Sequence, residues 1–307
     1  MANWRRGTHR RPNWRKRGRR EGFRIVGPQA LRVERLNRRW SRVAVPKVGW
    51  VRLRRSRALA EWKSYRVTLD PSGRWHIAFA VVPAPLEGPG DGSVVGIDRG
   101  VAVTLALSDG AAYQAPPAVN VRKAARTLSR CQRGSNRGKR AKARLARLHA
   151  RVADRRRDFV EKTSTVIARR YDLIRIEDLR VANMVRSARG TVEQPGRKVA
   201  QKAGLNRAIL NAAWSGFATR LEYKAAGRAE RVNPAFTSQR CSVCGHVAAE
   251  SRKSQALFRC VARAYTANAD LNAARNIAAG RAVTARGGLA LAGPVNREPQ
   301  RETSSVT

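Results

Sequence analysis

An excess of positive charge constrains this chain before any motif is read: 64 Lys and Arg stand against 21 Asp and Glu, a formal net charge of +43. A compact body with that excess repels itself, so the cations belong on surfaces and appendages that face a dense, regular polyanion. Nucleic acid is the polyanion that fits. The 307 residues suffice for two modest domains. No run of about 18 apolar residues occurs. The opening MANWRRGTHRRPNWRKRGRR also lacks the apolar stretch and cleavage site of a signal peptide, so no membrane partner and a cytoplasmic location are expected. Three of the four cysteines lie between 241 and 260, a grouping that points to metal rather than to a disulfide framework.

Along the chain, residues 1–29 read as a basic arm without apolar periodicity, disordered when alone, with Trp4 and Trp14 available for base stacking. Short alternating segments then predict a small β domain, barrel-like, over 30–81, with most of Trp40, Trp50, Trp62 and Trp75 expected in its core. VPAPLEGPGD at 82–91 reads as a linker. A catalytic domain is expected over 92–233, opening with SVVGIDRGVAVTLALSDG, two apolar strands and a hairpin turn. Inside it, helical spacing over 121–170, broken at Arg133–Gly138, predicts a helical hairpin. That hairpin carries fifteen Arg or Lys and one acid between 121 and 157, far more than solubility requires. The buried strand Leu173–Glu177 follows, then a mobile polar loop at 186–198, a helix near 200–227, a Cys-bearing module at 234–267, a last helix at 268–280 and a tail at 281–307.

Three acids stand out in this basic chain: Asp98 within an apolar strand, Glu177 at the end of another, and Asp270 at the start of a helix. A carboxylate in apolar surroundings is costly unless it is paired or coordinates a metal. Two Mg²⁺ about 4 Å apart would make such acids a phosphodiester-cleaving site. The structural alternative is that Asp98 caps a turn, Glu177 pairs with an arginine and Asp270 caps the last helix.

GIDRGV around Asp98, IRIEDL around Glu177 and NADLNAARNI around Asp270 resemble the three RuvC motifs of the TnpB family. NPAFTSQRCSVCGH at 233–246 and KSQALFRC at 253–260 resemble the zinc ribbon that these proteins carry before the third acid. The resemblance covers about residues 30–280, and its four motifs stand in the family's order. It implies an α+β or α/β chain: an RNase H-like (RuvC) catalytic domain with an inserted helical hairpin and zinc-ribbon-like module, preceded by the small β domain. It further implies Mg²⁺-dependent DNA cleavage directed by a guide RNA, linked to an insertion-sequence transposon. Asp98, Glu177 and Asp270 would be the metal-binding catalytic residues, with Gln239 or Arg240 assisting.

The chain departs from that pattern in two places. A complete ribbon has four thiolates. Here Cys241, Cys244 and Cys260 are present, but Arg263 takes the fourth position, and neither His246, two residues after Cys244, nor distant Cys131 replaces it at ordinary spacing. Zinc binding is therefore expected to be weakened or lost. The chain also starts inside the family's recognition region, which suggests an N-terminally truncated copy. The rival reading is a catalytically impaired remnant that binds nucleic acid without cutting it. A tyrosine transposase with a paired-histidine metal site is disfavoured, because the histidines at 9, 76, 149 and 246 are isolated.

Overall fold

The computed structural model describes residues 21–56, 58 and 61–280. The expected arm to residue 20, with Trp4 and Trp14, and the tail at 281–307 lie outside the described residues. Among those described, no helix is long and apolar enough to cross a membrane.

The chain divides into two compact units. The first comprises residues up to Ser93, Tyr113–Leu173 and Arg180–Ala229; the second comprises Val94–Ala112, Ile174–Leu179 and the chain from Glu230 onward. The helical hairpin, expected within the catalytic domain, thus clusters with the first unit.

In the first unit, strands β1 (Gly22–Val26), β5 (Ser64–Leu69) and β6 (Trp75–Phe79) form one three-stranded sheet in the order β1-β5-β6. Strands β2 (Val33–Arg35), β3 (Trp40–Val45) and β4 (Gly49–Arg54) form another, β2-β3-β4. Ala30, Val43, Val45 and Tyr65 make the buried centre, with Ile25, Val67 and Phe79 packed on it. The expected boundary at residue 30 therefore moves: β1 pairs with β5 from Gly22↔Thr68 to Val26↔Ser64, and the module begins within the supposed arm. Its tryptophans also depart from expectation. Trp62 does pack inward, edge-on to Phe79, and donates its indole N–H to Ala30 O at 2.9 Å. Trp40, Trp50 and Trp75, however, remain 37%, 42% and 58% exposed.

Helix α1 (Val121–Ser129) and helix α2 (Asn136–Arg170) are separated by the glycine-bearing turn, and Ser135 caps α2 by accepting from Gly138 N at 3.0 Å. At 1.5 Å per residue the 35 residues of α2 extend about 52 Å. Its buried residues, Val160, Thr163, Ser164, Ile167 and Ala168, all lie in the C-terminal part. The basic N-terminal part buries none. Helices α3 (Val181–Met184), α4 (Val199–Ala212) and α5 (Trp214–Lys224) complete the unit, and α5 packs on α2 with Phe217, Ala218 and Leu221 buried. The proline-rich stretch before Ser93 is tied down. Leu86 N donates to Lys224 O at 2.7 Å, and Gly90 N and Gly92 N donate to the Asp172 carboxylate at 2.9 and 2.6 Å.

The second unit is organised by a five-stranded sheet in the order β11-β10-β7-β8-β9. Its strands are β7 (Val94–Asp98), β8 (Leu105–Leu107), β9 (Ala112–Tyr113), β10 (Leu173–Glu177) and β11 (Ala229–Val232). Val95, Ile97, Leu105, Leu107, Ile174 and Ile176 are fully buried, as apolar runs covered by neighbouring elements should be. Helix α6 (Ala269–Ala278) lies against β7, and Gly96 makes the approach possible: a Cβ there would clash with the backbone at Ala274 O and Ala278 N. Small residues on the helix, Ala269, Ala273 and Ala274, complete the close fit. A short hairpin of β12 (Leu257–Arg259) and β13 (Thr266–Asn268) precedes α6.

Candidate active site

Asp98 ends β7, Glu177 ends the neighbouring strand β10, and Asp270 lies in the first turn of α6, so three elements of the second unit each deliver one carboxylate. Glu177 and Asp270 are only 7% and 6% exposed. Burial, joined by the nearby charges of Glu177 and Asp270 and opposed by Arg252, pushes the Asp98 carboxyl up to about 7. Such repulsion on Asp98 is the mark of acids placed close to one another. Burial likewise raises Glu177 and Asp270 above the usual carboxylate range; a hydrogen bond from Thr237 with Arg99 and Arg252 opposes it at Glu177, and Arg252 opposes it at Asp270.

At Asp270 the structural alternative is not met. Asn268, not Asp270, caps α6, its side-chain oxygen accepting from Asp270 N at 2.9 Å and Leu271 N at 3.2 Å. Asp270 is left facing Arg252 at 3.9 Å. Glu177 Oε1 accepts from the Thr237 hydroxyl at 2.7 Å in a buried setting.

Residues that the sequence did not single out hold this site. Arg99, next after Asp98, is buried and donates through Nη2 to the backbone carbonyl of Glu177. Thr237, inside the NPAFTSQ run, reaches Glu177, and its own carbonyl accepts from Asn276 of α6 at 2.9 Å. Asn276 and Asn272 both donate to Arg240 O at 2.7 Å. Arg240 thus enters through its backbone. Gln239 is fixed by its backbone too, donating to Phe236 O at 3.0 Å and accepting from Ala248 N at 3.3 Å. Only adjacency to Asp98 could have flagged Arg99, and nothing in one sequence pairs Thr237 with an acid sixty residues earlier.

The cysteine module has two matched turns. In the first, Gly245 N donates to Cys241 O at 2.9 Å, Cys241 N to His246 O at 2.8 Å, and Gly245 has φ +76°. In the second, Ala264 N donates to Cys260 O at 2.9 Å, Cys260 N to Tyr265 O at 2.8 Å, and Ala264 has φ +54°. Arg263 therefore stands where Cys244 stands, one residue before the left-handed position. The sulfurs of Cys241, Cys244 and Cys260 lie within 4.8 Å of one another, with Cys244 and Cys260 3.6 Å apart. Among the described residues they are the one potential ligand group gathered that tightly; the three carboxylates are looser, and His246 does not join the sulfurs. Three sulfurs and an arginine do not make the closed four-ligand site of structural zinc.

Comparison with known proteins finds family models and relatives for most of the chain. A family model described as "Probable transposase" (OrfB_IS605) matches residues 76–188, which hold Asp98 and Glu177. A model described as "Cas12f1-like, TNB domain" matches residues 214–277, which hold Asp270 and the three clustered cysteines. A relative from Escherichia coli (strain K12), named as the RNA-guided DNA endonuclease InsQ, is 41% identical over 303 residues, covering 94% of this chain and 73% of the relative. A relative from Streptomyces pristinaespiralis, also named as an RNA-guided DNA endonuclease, is 33% identical over 266 residues, and the chain spans 62% of its length. A solved CRISPR-Cas12f ternary complex is similar over 75% of this chain and 45% of that one at 20% identity, with a TM-score of 0.40, a likeness too loose to carry more. The fold is that of a mixed α+β protein. The chain belongs to the TnpB (OrfB, IS605) family.

Proposed function

We propose that this chain is an RNA-guided, Mg²⁺-dependent DNA endonuclease associated with an insertion-sequence transposon, with target DNA and a guide RNA as its partners. The observation that carries this reading is the carboxylate set of half-buried Asp98 with buried Glu177 and Asp270, whose charges repel that of Asp98 inside a chain of net charge +43. Folding gains nothing from that repulsion, so a cation at the site accounts for it. The strand order β11-β10-β7-β8-β9 with α6 against β7 supports an RNase H-like (RuvC) arrangement for the second unit.

The donor set suits a hard cation, since carboxylate oxygens are what Mg²⁺ selects. Bound by Asp98, Glu177 and Asp270 as one or two ions, Mg²⁺ would supply Lewis-acid stabilisation to a scissile phosphodiester. The chain's own residues orient that site. Thr237 fixes one oxygen of Glu177, Arg99 anchors the Glu177 backbone, and Arg252 faces Asp270. Asp98, its carboxyl raised to about 7, holds a proton near neutrality that a bound cation would displace.

The test is cleavage of labelled single- and double-stranded DNA by the protein with its guide RNA, in Mg²⁺ and in EDTA, beside Asp98→Ala. Metal-dependent cutting is expected to fall on the order of a thousandfold or more in the variant while DNA affinity is kept. Tight, salt-sensitive binding without any cutting would instead favour the catalytically impaired remnant, the second reading, which the loss of a zinc ligand to Arg263 supports.

The cysteine module enters this reading as a scaffold that keeps its paired turns with zinc held weakly or lost. The purified protein is expected to carry well under about one zinc per chain after EDTA treatment, because structural zinc sites are four-coordinate and closed. Stoichiometric, chelator-resistant zinc would overturn that expectation.

A further inference from the structure

The β2-β3-β4 sheet of the first unit has an outward face that the carboxylate chemistry does not use. On β3, Ser41, Val43 and Val45 are buried, leaving Trp40, Arg42 and Ala44 outward. Across the ladder these three meet Arg54, Arg52 and Trp50 of β4. The result is a checkerboard of indoles and guanidinium groups. Arg42 and Arg32 lie 4.6 and 5.8 Å from the centre of the Trp50 ring, and Arg52 lies 5.3 Å from that of Trp40.

Two features of this face cost the fold stability that its cation–π contacts only partly offset. Trp40 and Trp50 leave 37% and 42% of their surface in water, forgoing the stabilisation that burying an indole gives. Arg42 and Arg52 stand directly opposite each other, an arrangement that destabilises a sheet. Glu34 offsets Arg42 at 2.7 Å, but Arg52 and Arg54 have no acid against them among the described residues. Beside Trp50 the face opens into a cavity of about 320 Å³, lined by Gln29, Arg32, Ala44, Lys47 and the indole itself. Lys47, at φ +65°, occupies a turn position that favours glycine, which places a cation at the cavity.

We infer that this face and its cavity form a stacking site for the bases of a single-stranded nucleic-acid segment, with Trp40 and Trp50 as platforms and Arg32, Lys47, Arg52 and Arg54 on its phosphates. Interleaved aromatic and cationic side chains are the chemistry of sequence-tolerant single-strand binding. A duplex keeps its base faces stacked inside and offers these indoles nothing. The cavity is at the small end of ligand pockets, with room for about one base rather than a helix. The site needs no cleavage, so it stands or falls apart from the nuclease reading.

The full chain is titrated in EDTA with fluorescently labelled oligothymidylate, oligouridylate and an abasic strand of equal length. The wild type is expected to bind a base-bearing strand about tenfold more tightly than the abasic one, with quenching of tryptophan emission. The Trp40→Ala/Trp50→Ala double variant should lose that preference and keep its affinity for the abasic strand, which rests on phosphate contacts alone. Trp50→Phe, which leaves the fold least disturbed, should retain part of the preference, and Trp75→Ala, on the other sheet, all of it. A preference for either the DNA or the RNA strand supports the site. No preference in the wild type, an unchanged preference in the double variant, or an equal loss of affinity for a duplex would overturn it.

Discussion

The carboxylate site and the Trp-Arg face place their polar groups under opposite conditions. At the first, Asp98, Glu177 and Asp270 are drawn out of water, and burial raises all three carboxyls. At the second, the cations of β3 and β4 stay in solvent beside partly exposed indoles. Charge is expensive in the first setting and nearly free in the second. Substitutions at the acids should therefore move stability, pH dependence and reactivity together, whereas substitutions on the sheet face should move ligand binding alone.

The largest effect that would sharpen this contrast is at Asp98 in the metal-free protein. Its carboxyl rises from an ordinary 3.8 to about 7 on folding, so between those values the folded chain holds a proton that the unfolded chain has released. Stability then falls as pH rises from about 4 to 7 and levels off above, a loss of a few kcal/mol. Asp98→Asn should abolish most of that slope, and added Mg²⁺ should stabilise the wild type at neutral pH far more than the variant. Melting curves across that range check both points, and a flat wild-type profile would break the comparison.

A smaller effect is expected at Thr237. Thr237→Val keeps the shape but removes the hydroxyl that donates to Glu177, leaving a buried carboxylate oxygen short of a partner at a cost of about 1–3 kcal/mol. Cleavage should fall roughly tenfold or more, the rate equivalent of that energy, and Thr237→Ser should restore it. Equal activity of the valine and serine variants would remove Thr237 from the site.

The smallest effect belongs to the sheet face. Trp50→Ala gives up a cation–π contact at an exposed position, and its thermal stability should change by less than about 1 kcal/mol. A larger loss would mean that the indole serves the core after all.

Several of these features were legible in the sequence because they are local. An acid closing an apolar run, as at Asp98 and Glu177, is visible from neighbouring residues, and the Cys-x₂-Cys pair with its mismatched partner Arg263 is visible from spacing. The helical hairpin follows from periodicity and one glycine-bearing break. What was missed depends on long-range pairing. Strand β1 looks like more of a basic arm until β5, some forty residues later, supplies its hydrogen bonds. The proline-rich stretch reads as a loose linker until Asp172 receives Gly90 and Gly92.

The tryptophans make the distinction clearest. Alternation along β3 says that Trp40, Arg42 and Ala44 share one face and Ser41, Val43 and Val45 the other, but both sets contain apolar side chains. Which set is covered depends on what packs there. Tyr65 and Ala30 complete a core against Val43 and Val45, and that choice turned the indoles outward. The sequence by itself determined the charge excess, the strands and helices that carry the acids, and the loss of a fourth thiolate. Only the tertiary structure decided that Gly96 lets α6 close on β7, that Asp270 thereby comes within electrostatic reach of Asp98, and that Thr237 and Arg99 hold Glu177. Those are contacts between surfaces, and a linear pattern encodes which faces exist without encoding which of them meet.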